Sequence, residues 1–279
     1  MRIAITGASG FCGSAVARLA AGRGHEVFCF GRRPGPAGDH IFWDATQEVP
    51  DLSGVDSVIH LAAAVGDARG EDVFRAVNVG GAQRLLEAAR ALPVVWVSSA
   101  SVYSPGPYPE PVREDHPTGG QRSVYGRTKA AGEALALAAG AVVLRPRAVY
   151  GPGDPHLLPR LRRVVRAGRA WLPGPDVPLS LTAVGTLAEA CLAASEYGWP
   201  AGAYNIADPV VYRRDDVVRA VLGAPVRRVP VALAKAAAAA GRSEALTRYA
   251  VDQLTDGMVL DTAKAGRLGF RPSERLDGV

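Results

Sequence analysis

The stretch ITGASGFCGSAVARLAA, residues 5–21, decides the fold of this chain. It places three glycines at a G-x-x-G-x-x-G spacing between a predicted strand, Arg2–Thr6, and a predicted helix. Such glycines let the backbone approach a pyrophosphate, and the helix N-terminus offers it N–H groups and a positive dipole. A glycine-rich turn without a ligand is the alternative, but the strand–loop–helix context favours a dinucleotide site. The residues expected to contact that cofactor are Gly7, Ser9, Gly10, Phe11, Cys12 and Gly13.

Beyond this loop, short apolar runs alternate with amphipathic helical segments. Continuous apolar runs are typical of parallel strands that are covered on both faces. The alternation predicts an α/β fold with a doubly wound parallel sheet of the Rossmann type. Strands are predicted at Arg2–Thr6, Glu26–Phe30, His40–Trp43, Ser57–Leu61, Val94–Ser98, Ala141–Arg145 and Ala203–Ile206, and helices at Ser14–Arg23, Glu71–Arg90 and Ser123–Ala139.

The second half of the chain loses the regular alternation of strands and helices, and many prolines lie in residues 152–178. We expect a smaller C-terminal substrate lobe over the carboxyl ends of the strands, where open α/β sheets bind ligands. The expected Rossmann domain is residues 1–152 with about 177–206, and the expected lobe is about 153–176 and 207–279.

A helix is predicted near the start of this lobe, with an apolar arc beside a stripe of Arg162, Arg166 and Arg169. A solvated basic face is the first interpretation of the stripe. A docking patch for an anionic substrate or carrier is the second.

Composition narrows the functional class. The 279 residues are 48% hydrophobic and carry a formal charge of +5, which suits a globular protein with anionic ligands. The sequence has no zinc-finger spacing, basic tail or aromatic-rich RNA motif, and no apolar run of about 18 residues, so neither nucleic acid nor a membrane is expected as a partner. The N-terminus lacks the pattern of a signal peptide, and the three cysteines are scattered, which indicates reduced thiols in the cytoplasm. No metal is expected, because His60, His116 and His156 lack a metal-binding spacing.

Tyr125 and Lys129 are candidates for acid–base chemistry. Four residues apart on a helix, they share one face. A nearby ammonium lowers the pKa of a tyrosine from about 10 toward neutrality. Ser99 follows the predicted strand Val94–Ser98, and strand ends are where this fold places its chemistry. The alternatives are a chance Tyr-x-x-x-Lys pattern and a serine that only forms a turn.

Taken together, these motifs resemble the extended short-chain dehydrogenase/reductase family, also called the NAD-dependent epimerase/dehydratase family. The resemblance extends over nearly the whole chain. It rests on the glycine loop, HLAA at 60–63, NVGGAQRLLEAA at 78–89, SSASVY at 98–103, Tyr125-x-x-x-Lys129 and LRPRAVYGPGD at 144–154. The segment GPGDPHLLPRLRRVVRAGR at 151–169 is similar to the 3β-hydroxysteroid dehydrogenase-like and β-keto acid reductase members.

The resemblance implies hydride transfer in which Tyr125 gives or takes the hydroxyl proton and Ser99 hydrogen-bonds the same oxygen. Lys129 then tunes Tyr125 and orients the cofactor ribose, and Asn78 supports the active-site network. The remaining positions implied to contact the cofactor are Leu61, Ala62, Ala63, Tyr125, Lys129 and Pro146. The family also implies a homodimer through the helices near 71–90 and 123–139.

Residues 28–35, FCFGRRPG, bear on the choice of cofactor. Family members that prefer NAD place an acidic residue where this chain has Gly31. Arg32 and Arg33 follow, and guanidinium groups suit a 2′-phosphate. We therefore expect NADP(H), with NAD(H) as the alternative if both arginines are merely solvated. Asp44 is expected at the adenine, as similar residues are in the family.

The expected activity is oxidoreduction of a small-molecule ketone or secondary alcohol. Ala100 and Ser101 stand where family dehydratases carry an acidic pair, which disfavours dehydration. Val184-Gly185-Thr186 replaces the family's usual V-D-D, which weakens any transfer of sugar-binding residues. A nucleotide-sugar epimerase with retained NAD is the first alternative. A non-catalytic dinucleotide-sensing protein is the second.

Overall fold

The computed structural model describes residues 1–66, 70–155, 157–240 and 248–277. Its strands are β1 (Arg2–Thr6), β2 (Glu26–Gly31), β3 (Asp39–Phe42), β4 (Ser57–His60), β5 (Val94–Val97), β6 (Val142–Pro146), β7 (Val149–Tyr150), β8 (Val165–Arg166), β9 (Arg169–Pro173), β10 (Pro178–Leu179), β11 (Thr182–Ala183), β12 (Gly202–Ile206), β13 (Tyr212–Arg213) and β14 (Val226–Val229). Its helices are α1 (Phe11–Gly22), α2 (Glu71–Arg75), α3 (Gly81–Ala88), α4 (Val124–Ala138), α5 (Leu157–Arg162), α6 (Val184–Glu196), α7 (Arg214–Leu222), α8 (Val231–Ala239), α9 (Arg248–Thr255) and α10 (Ala263–Arg267).

Seven strands form one sheet in the order β12–β6–β5–β4–β1–β2–β3. Every neighbouring pair is parallel. Strands β4, β5 and β6 are buried along their whole length, and apolar residues form all of β5, the middle of β4 and the first part of β6. The chain winds outward in both directions from β1, so a crevice for ligands is expected at the carboxyl ends of β1 and its neighbour β4.

Helices cover both faces of the sheet. On one face α1 and α6 contribute Val16 and Leu187 to a buried cluster. On the other face α3 and α4 contribute Leu85 and Ala136. The doubly wound Rossmann fold predicted from the alternation is therefore confirmed.

Two predicted helices differ in detail from those observed. Helix α1 begins at Phe11 rather than Ser14, because Gly10 is its N-cap and the glycine loop leads straight into the first turn. The predicted helix Glu71–Arg90 is a continuous helical run that ends at Ala88. Its middle, Ala76–Gly80, is a π-helical turn, which a hydrophobic pattern does not reveal.

The second half of the chain also forms a three-stranded sheet in the order β14–β9–β8. Leu172, Tyr212 and Val218 belong to its buried core. The sequence predicts one helix across this segment, but only α5 is helical. The prediction is wrong for the residues after α5, which form β8 and β9. Ala167 and Gly168 adopt left-handed backbone conformations, with φ angles of 49° and 70°, and turn the chain back into a hairpin.

The three arginines of the predicted stripe therefore do not share a helix. Arg162 ends α5, whereas Arg166 and Arg169 face each other across the β8–β9 hairpin. The basic character of the segment remains, but as a hairpin surface. Among the residues described, no helix is both long enough and apolar enough to cross a bilayer.

Candidate active site

The glycine loop lies at the carboxyl end of β1, against the turn that follows β4. Gly7 has a left-handed φ of 71°, and a Cβ on it would lie 2.8 Å from the backbone nitrogen of Ala62. A Cβ on Gly13 would overlap the carbonyl oxygen of Gly7. Both positions require glycine, because the loop, the first turn of α1 and the turn at Ala62 are packed against one another.

Thr6, the last residue of β1, holds this arrangement together. Its hydroxyl oxygen accepts hydrogen bonds from the backbone nitrogens of Leu61, at 3.2 Å, and Ala62, at 3.1 Å. It also contacts Nδ1 of His60 at 2.8 Å. Sequence reasoning missed Thr6, although a hydroxyl directly before Gly7 was visible as a signal.

His60 supports the floor of the site. Its ring stacks on Trp96 with a centroid distance of 4.2 Å. Burial, with a smaller contribution from the charge of Lys129, lowers the pKa of His60 to about 3. The imidazole is therefore neutral at physiological pH.

Ser99 follows β5, and the turn after it fixes its hydroxyl. The Ser99 Oγ accepts a hydrogen bond from the backbone nitrogen of Ser101 at 3.1 Å and donates to the Ser101 hydroxyl at 3.2 Å. Because Ser99 caps the 3₁₀ turn Ala100–Val102, its position depends on local backbone geometry.

Helix α4 brings Tyr125 and Lys129 to the same edge. Its N-cap is Ser123, whose hydroxyl accepts a hydrogen bond from the backbone nitrogen of Gly126 at 3.0 Å. A Cβ on Gly126 would lie 2.9 Å from the carbonyl oxygen of Ser101, so the first turn of α4 packs directly on the turn after Ser99. Tyr125 is partly exposed in that first turn.

Lys129 is buried one turn further along α4. Its Nζ donates a hydrogen bond of 2.8 Å to the carbonyl oxygen of Val97 and lies 5.7 Å from the centroid of the Trp96 ring. Burial lowers the pKa of Lys129 to about 8, while the negative charge of Glu133 acts in the opposite direction.

Asn78 lies in the π-helical turn and connects two parts of the site. Its Oδ1 accepts a 2.7 Å hydrogen bond from the backbone nitrogen of Ala64. Its Nδ2 donates to the carbonyl oxygen of Ala64 at 3.2 Å and to the hydroxyl of Thr128 at 3.1 Å. The residue therefore ties the segment after β4 to α4. Thr128, on α4, is a second residue that sequence reasoning missed.

The candidates for recognising the adenosine end lie after β2 and β3. Arg32 and Arg33 are exposed. The carboxylate of Asp44 accepts hydrogen bonds from the backbone nitrogen of Thr46, at 2.9 Å, and from its hydroxyl, at 2.8 Å. These bonds and the nearby charge of Arg32 lower the pKa of Asp44. The charge of Arg32 thus acts on Asp44, and the predicted contacts of both residues with a cofactor stay predictions.

A cleft opens beside Ser99 and the start of α4. Its empty volume is about 490 Å³, counted out to its open mouth. The turn after β5, the residues before α4, the end of β6 and the region of α9 all contribute to its walls. Residues that line it include Ser101, Tyr103, Tyr108, Arg122, Ser123, Arg147, Asp252, Asp256 and Met258.

A second cavity lies between α6 and residues 268–274, and its empty volume, about 850 Å³, exceeds that of the cleft. None of the predicted catalytic or cofactor-binding residues lines either cavity, but the lining of the cleft includes Ser101 and Ser123, which are neighbours of Ser99 and Tyr125 in the chain. Across the ranges that the structure describes, no group of His, Cys, Asp or Glu side chains has the geometry of a metal site. His156 lies outside those ranges.

The parallel sheet and its central glycine loop define a Rossmann-type α/β protein. The chain belongs to the NAD dependent epimerase/dehydratase family, whose family model matches residues 3–207.

Individual relatives include reductases and dehydrogenases. The chain is 34% identical over 195 residues to the 2-alkyl-3-oxoalkanoate reductase of Stenotrophomonas maltophilia (strain K279a), covering 62% of this chain and 58% of that protein. It is 31% identical over 192 residues to the 3 beta-hydroxysteroid dehydrogenase/Delta 5-->4-isomerase of Mycobacterium tuberculosis (strain ATCC 25618 / H37Rv), covering 60% and 52%. The chain thus spans between half and three fifths of the length of these curated relatives.

A solved structure with a similar fold is MoeE5 in complex with UDP-glucose and NAD. The TM-score is 0.79 at 25% sequence identity, over 100% of this chain and 96% of that one.

Proposed function

We propose that this protein is an NADP(H)-dependent oxidoreductase that transfers a hydride between the nicotinamide and the carbon of a ketone or secondary alcohol. The observation that carries the proposal is a convergence at the carboxyl edge of the sheet. Ser99 follows β5 there, Lys129 is hydrogen-bonded to Val97 at the end of the same strand, and Tyr125 lies one turn before Lys129.

The glycine loop fits a dinucleotide. The first turn of α1 contains no acidic side chain, so nothing there opposes a pyrophosphate. The turn Leu61–Ala63 and Pro146 border the same edge, at the ends of β4 and β6. When bound, the nicotinamide supplies or accepts the hydride, and the protein's contribution is to position and polarise the substrate.

The three catalytic residues have separate roles. Tyr125 gives or takes the proton of the substrate oxygen, and Ser99 donates a hydrogen bond to the same oxygen. Because the pKa of Lys129 is about 8, its side chain is mostly protonated at pH 7. A buried ammonium one helical turn from Tyr125 favours the phenolate. Asn78 is a positioning residue, since it holds Ala64 and Thr128 rather than the reacting atoms.

The choice of NADP(H) rests on Arg32 and Arg33. Both follow β2, where an acidic residue would repel a 2′-phosphate, and Gly31 leaves that space open. Asp44 is a carboxylate that follows β3, but it accepts two hydrogen bonds from Thr46, which stabilise its charge.

Reduction is favoured over epimerisation because the relatives named above include a 3-oxoalkanoate reductase and a hydroxysteroid dehydrogenase. The second candidate is a nucleotide-sugar epimerase with retained NAD, favoured by the likeness to MoeE5 with UDP-glucose and NAD.

The test is a panel of ketones and nucleotide sugars with the purified chain. We expect at least one ketone to cause oxidation of NADPH, which is measured as a loss of its absorbance. We expect no interconversion of the nucleotide sugars. Interconversion without net NADPH consumption would establish the epimerase instead. NADPH binding without turnover of either substrate class would favour a non-catalytic dinucleotide-sensing protein.

A further inference from the structure

One side of the sheet β14–β9–β8 faces away from the buried core and is strongly basic. Along β9, Arg169 and Trp171 are exposed, whereas Ala170 between them is fully buried. Arg166 of β8 lies opposite Arg169, and Arg227 of β14 lies opposite Trp171. Residues paired in this way share a face of the sheet. We call the exposed side formed by Arg166, Arg169, Trp171 and Arg227 the arginine face.

The three arginines of this face lack carboxylate partners. Within the ranges that the structure describes, none of them forms an ion pair. The sequence explains this, because β8, β9 and β14 contain no acidic residue. The chain also has no acidic residue between Asp154 and Asp176, an interval that holds five arginines. The guanidinium charges of the face are therefore free to attract an anionic ligand.

Other exposed arginines in the second half of the chain do have partners. The Arg219 side chain of α7 is 54% exposed, yet it contacts Asp216 at 2.7 Å. Arg213 is also exposed and contacts Asp176 at 2.8 Å. Exposure alone therefore does not leave an arginine unpaired in this part of the protein. The arginine face differs because its positive charges are gathered on strands that carry no carboxylate.

The hairpin between β8 and β9 places two of these charges against each other. Arg166 and Arg169 are direct cross-strand neighbours, joined by the turn at Ala167 and Gly168. Like charges at directly opposite positions destabilise a sheet. A carboxylate bound between the two guanidinium groups would replace their repulsion with two attractions. The hairpin is thus a position at which an acidic side chain is stabilised.

Trp171 adds an apolar contact surface beside the charges. It lies on the central strand and is 41% exposed. Its Nε1 donates a 3.4 Å hydrogen bond to the carbonyl oxygen of Arg166, which holds the ring next to the hairpin. Tryptophan and arginine contribute much of the binding energy in protein–protein interfaces. The other tryptophans of the chain are buried, namely Trp43, Trp96 and Trp199.

The composition and size of the face favour a short acidic protein segment over other polyanions. Single-stranded nucleic acid stacks successive bases on several aromatic side chains, whereas this face has one. Binding to a membrane surface relies on a continuous apolar face, whereas Trp171 is surrounded by arginines. Five residues of β9 and three strands span only about 16 by 14 Å. That area suits a short segment rather than a whole protein surface, which takes about 800 Å² per partner.

We propose that the arginine face binds an acidic segment of a partner protein. Carboxylates of that segment bind Arg166, Arg169 and Arg227, and an apolar side chain between them packs on Trp171. The proposal is independent of hydride transfer, because none of these four residues lines the cleft beside Ser99.

The experiment uses the full chain and a helical peptide of about 16 residues, built from glutamate, alanine and leucine. A matched peptide carries glutamine in place of every glutamate. Acrylamide quenching of tryptophan fluorescence measures binding, since Trp171 is the exposed tryptophan and a bound peptide shields it. We expect the glutamate peptide to bind at least about 10-fold more tightly than the glutamine peptide, the combined effect of several exposed ion pairs. The preference should decline as salt is added.

The variant Arg166→Gln/Arg169→Gln should weaken binding of the glutamate peptide by at least about fivefold. Because it removes two like charges that face each other, it should be no less stable than the wild type in urea unfolding. Arg219→Gln is the matched control, since Arg219 is equally exposed but already paired with Asp216. Its peptide affinity should stay within about twofold of the wild type.

Equal affinity for the two peptides, or unchanged binding of the glutamate peptide by Arg166→Gln/Arg169→Gln, would overturn the proposal. So would tighter binding of a single-stranded DNA of about 12 nucleotides, or of vesicles of phosphatidylserine and phosphatidylcholine, in the same quenching assay. Those results would assign the face to nucleic acid or to a membrane. NADPH oxidation is measured separately, so a failure of the proposed hydride transfer does not alter the peptide result.

Discussion

Lys129 Nζ donates a 2.8 Å hydrogen bond to the carbonyl oxygen of Val97, the last residue of β5. This contact joins the helix that carries Tyr125 to the strand that precedes Ser99. The ammonium is consequently buried at the point where the proposed chemistry takes place.

The buried Lys129 predicts a pH dependence of stability. Burial lowers its pKa in the folded chain to about 8, below that of an unfolded lysine, about 10.4. Between these values the unfolded chain binds more protons, so the penalty of burying the charge declines as pH rises.

Lys129→Met removes this penalty. The stability of the variant relative to the wild type should therefore decline between pH 8 and pH 10.5, by up to about 3 kcal/mol. Urea unfolding of both proteins across that range measures the difference. A difference that does not change with pH would contradict the buried, charged state of Lys129.

Replacing Asn78 is expected to lower the stability of the fold, although the residue does not contact the reacting atoms. Asn78→Ala removes three buried hydrogen bonds, to the backbone of Ala64 and to Thr128. Unsatisfied buried groups should then destabilise the fold by about 2–4 kcal/mol in urea unfolding. Gln83→Ala on the exposed side of α3 is the control, with a change of about 0.5 kcal/mol or less. A similarly small change for Asn78→Ala would show that the side chain does not support the site.

The ion pair of Arg145 and Glu133 predicts strong coupling between two residues. Arg145 Nη2 lies 2.6 Å from Glu133 Oε1, and both side chains are almost fully buried. Glu133→Leu and Arg145→Met should each cost about 3–5 kcal/mol, because each leaves a buried charge without its counter-charge.

The double variant Arg145→Met/Glu133→Leu should recover most of that loss, since it removes both charges. Thermal or urea unfolding of the two single variants and the double variant gives the coupling. Additive losses in the double variant would contradict it.

The positions of Arg32 and Arg33 predict that the protein binds NADPH more tightly than NADH. Replacing both with alanine should raise the Kd for NADPH by about 10-fold or more, and leave that for NADH nearly unchanged, because only NADPH carries the 2′-phosphate. Fluorescence titration of both cofactors measures the effect. An equal loss for both cofactors, or a wild-type preference for NADH, would contradict the assignment.

The sequence predicted the central sheet well because its signals are local. The glycine loop, the continuous apolar strands and the Tyr125–Lys129 spacing each lie within a few consecutive residues. The hairpin at Ala167–Gly168 was missed, because β9 is held by β14 from much later in the chain and the apolar spacing also suits a helix. Nor does local sequence reveal the pairing of Arg122 with Asp252, which are 130 residues apart.

The roles of Ser99, Tyr125 and Lys129 are proposed from their placement, and Tyr125→Phe tests them most directly. We expect the variant to bind NADPH with a Kd within about threefold of the wild type, because the glycine loop is untouched. Its kcat for the ketone should fall by at least about 100-fold, the contribution of a positioned acid or base. Turnover that stays near the wild-type rate in a variant with intact NADPH binding would contradict the account.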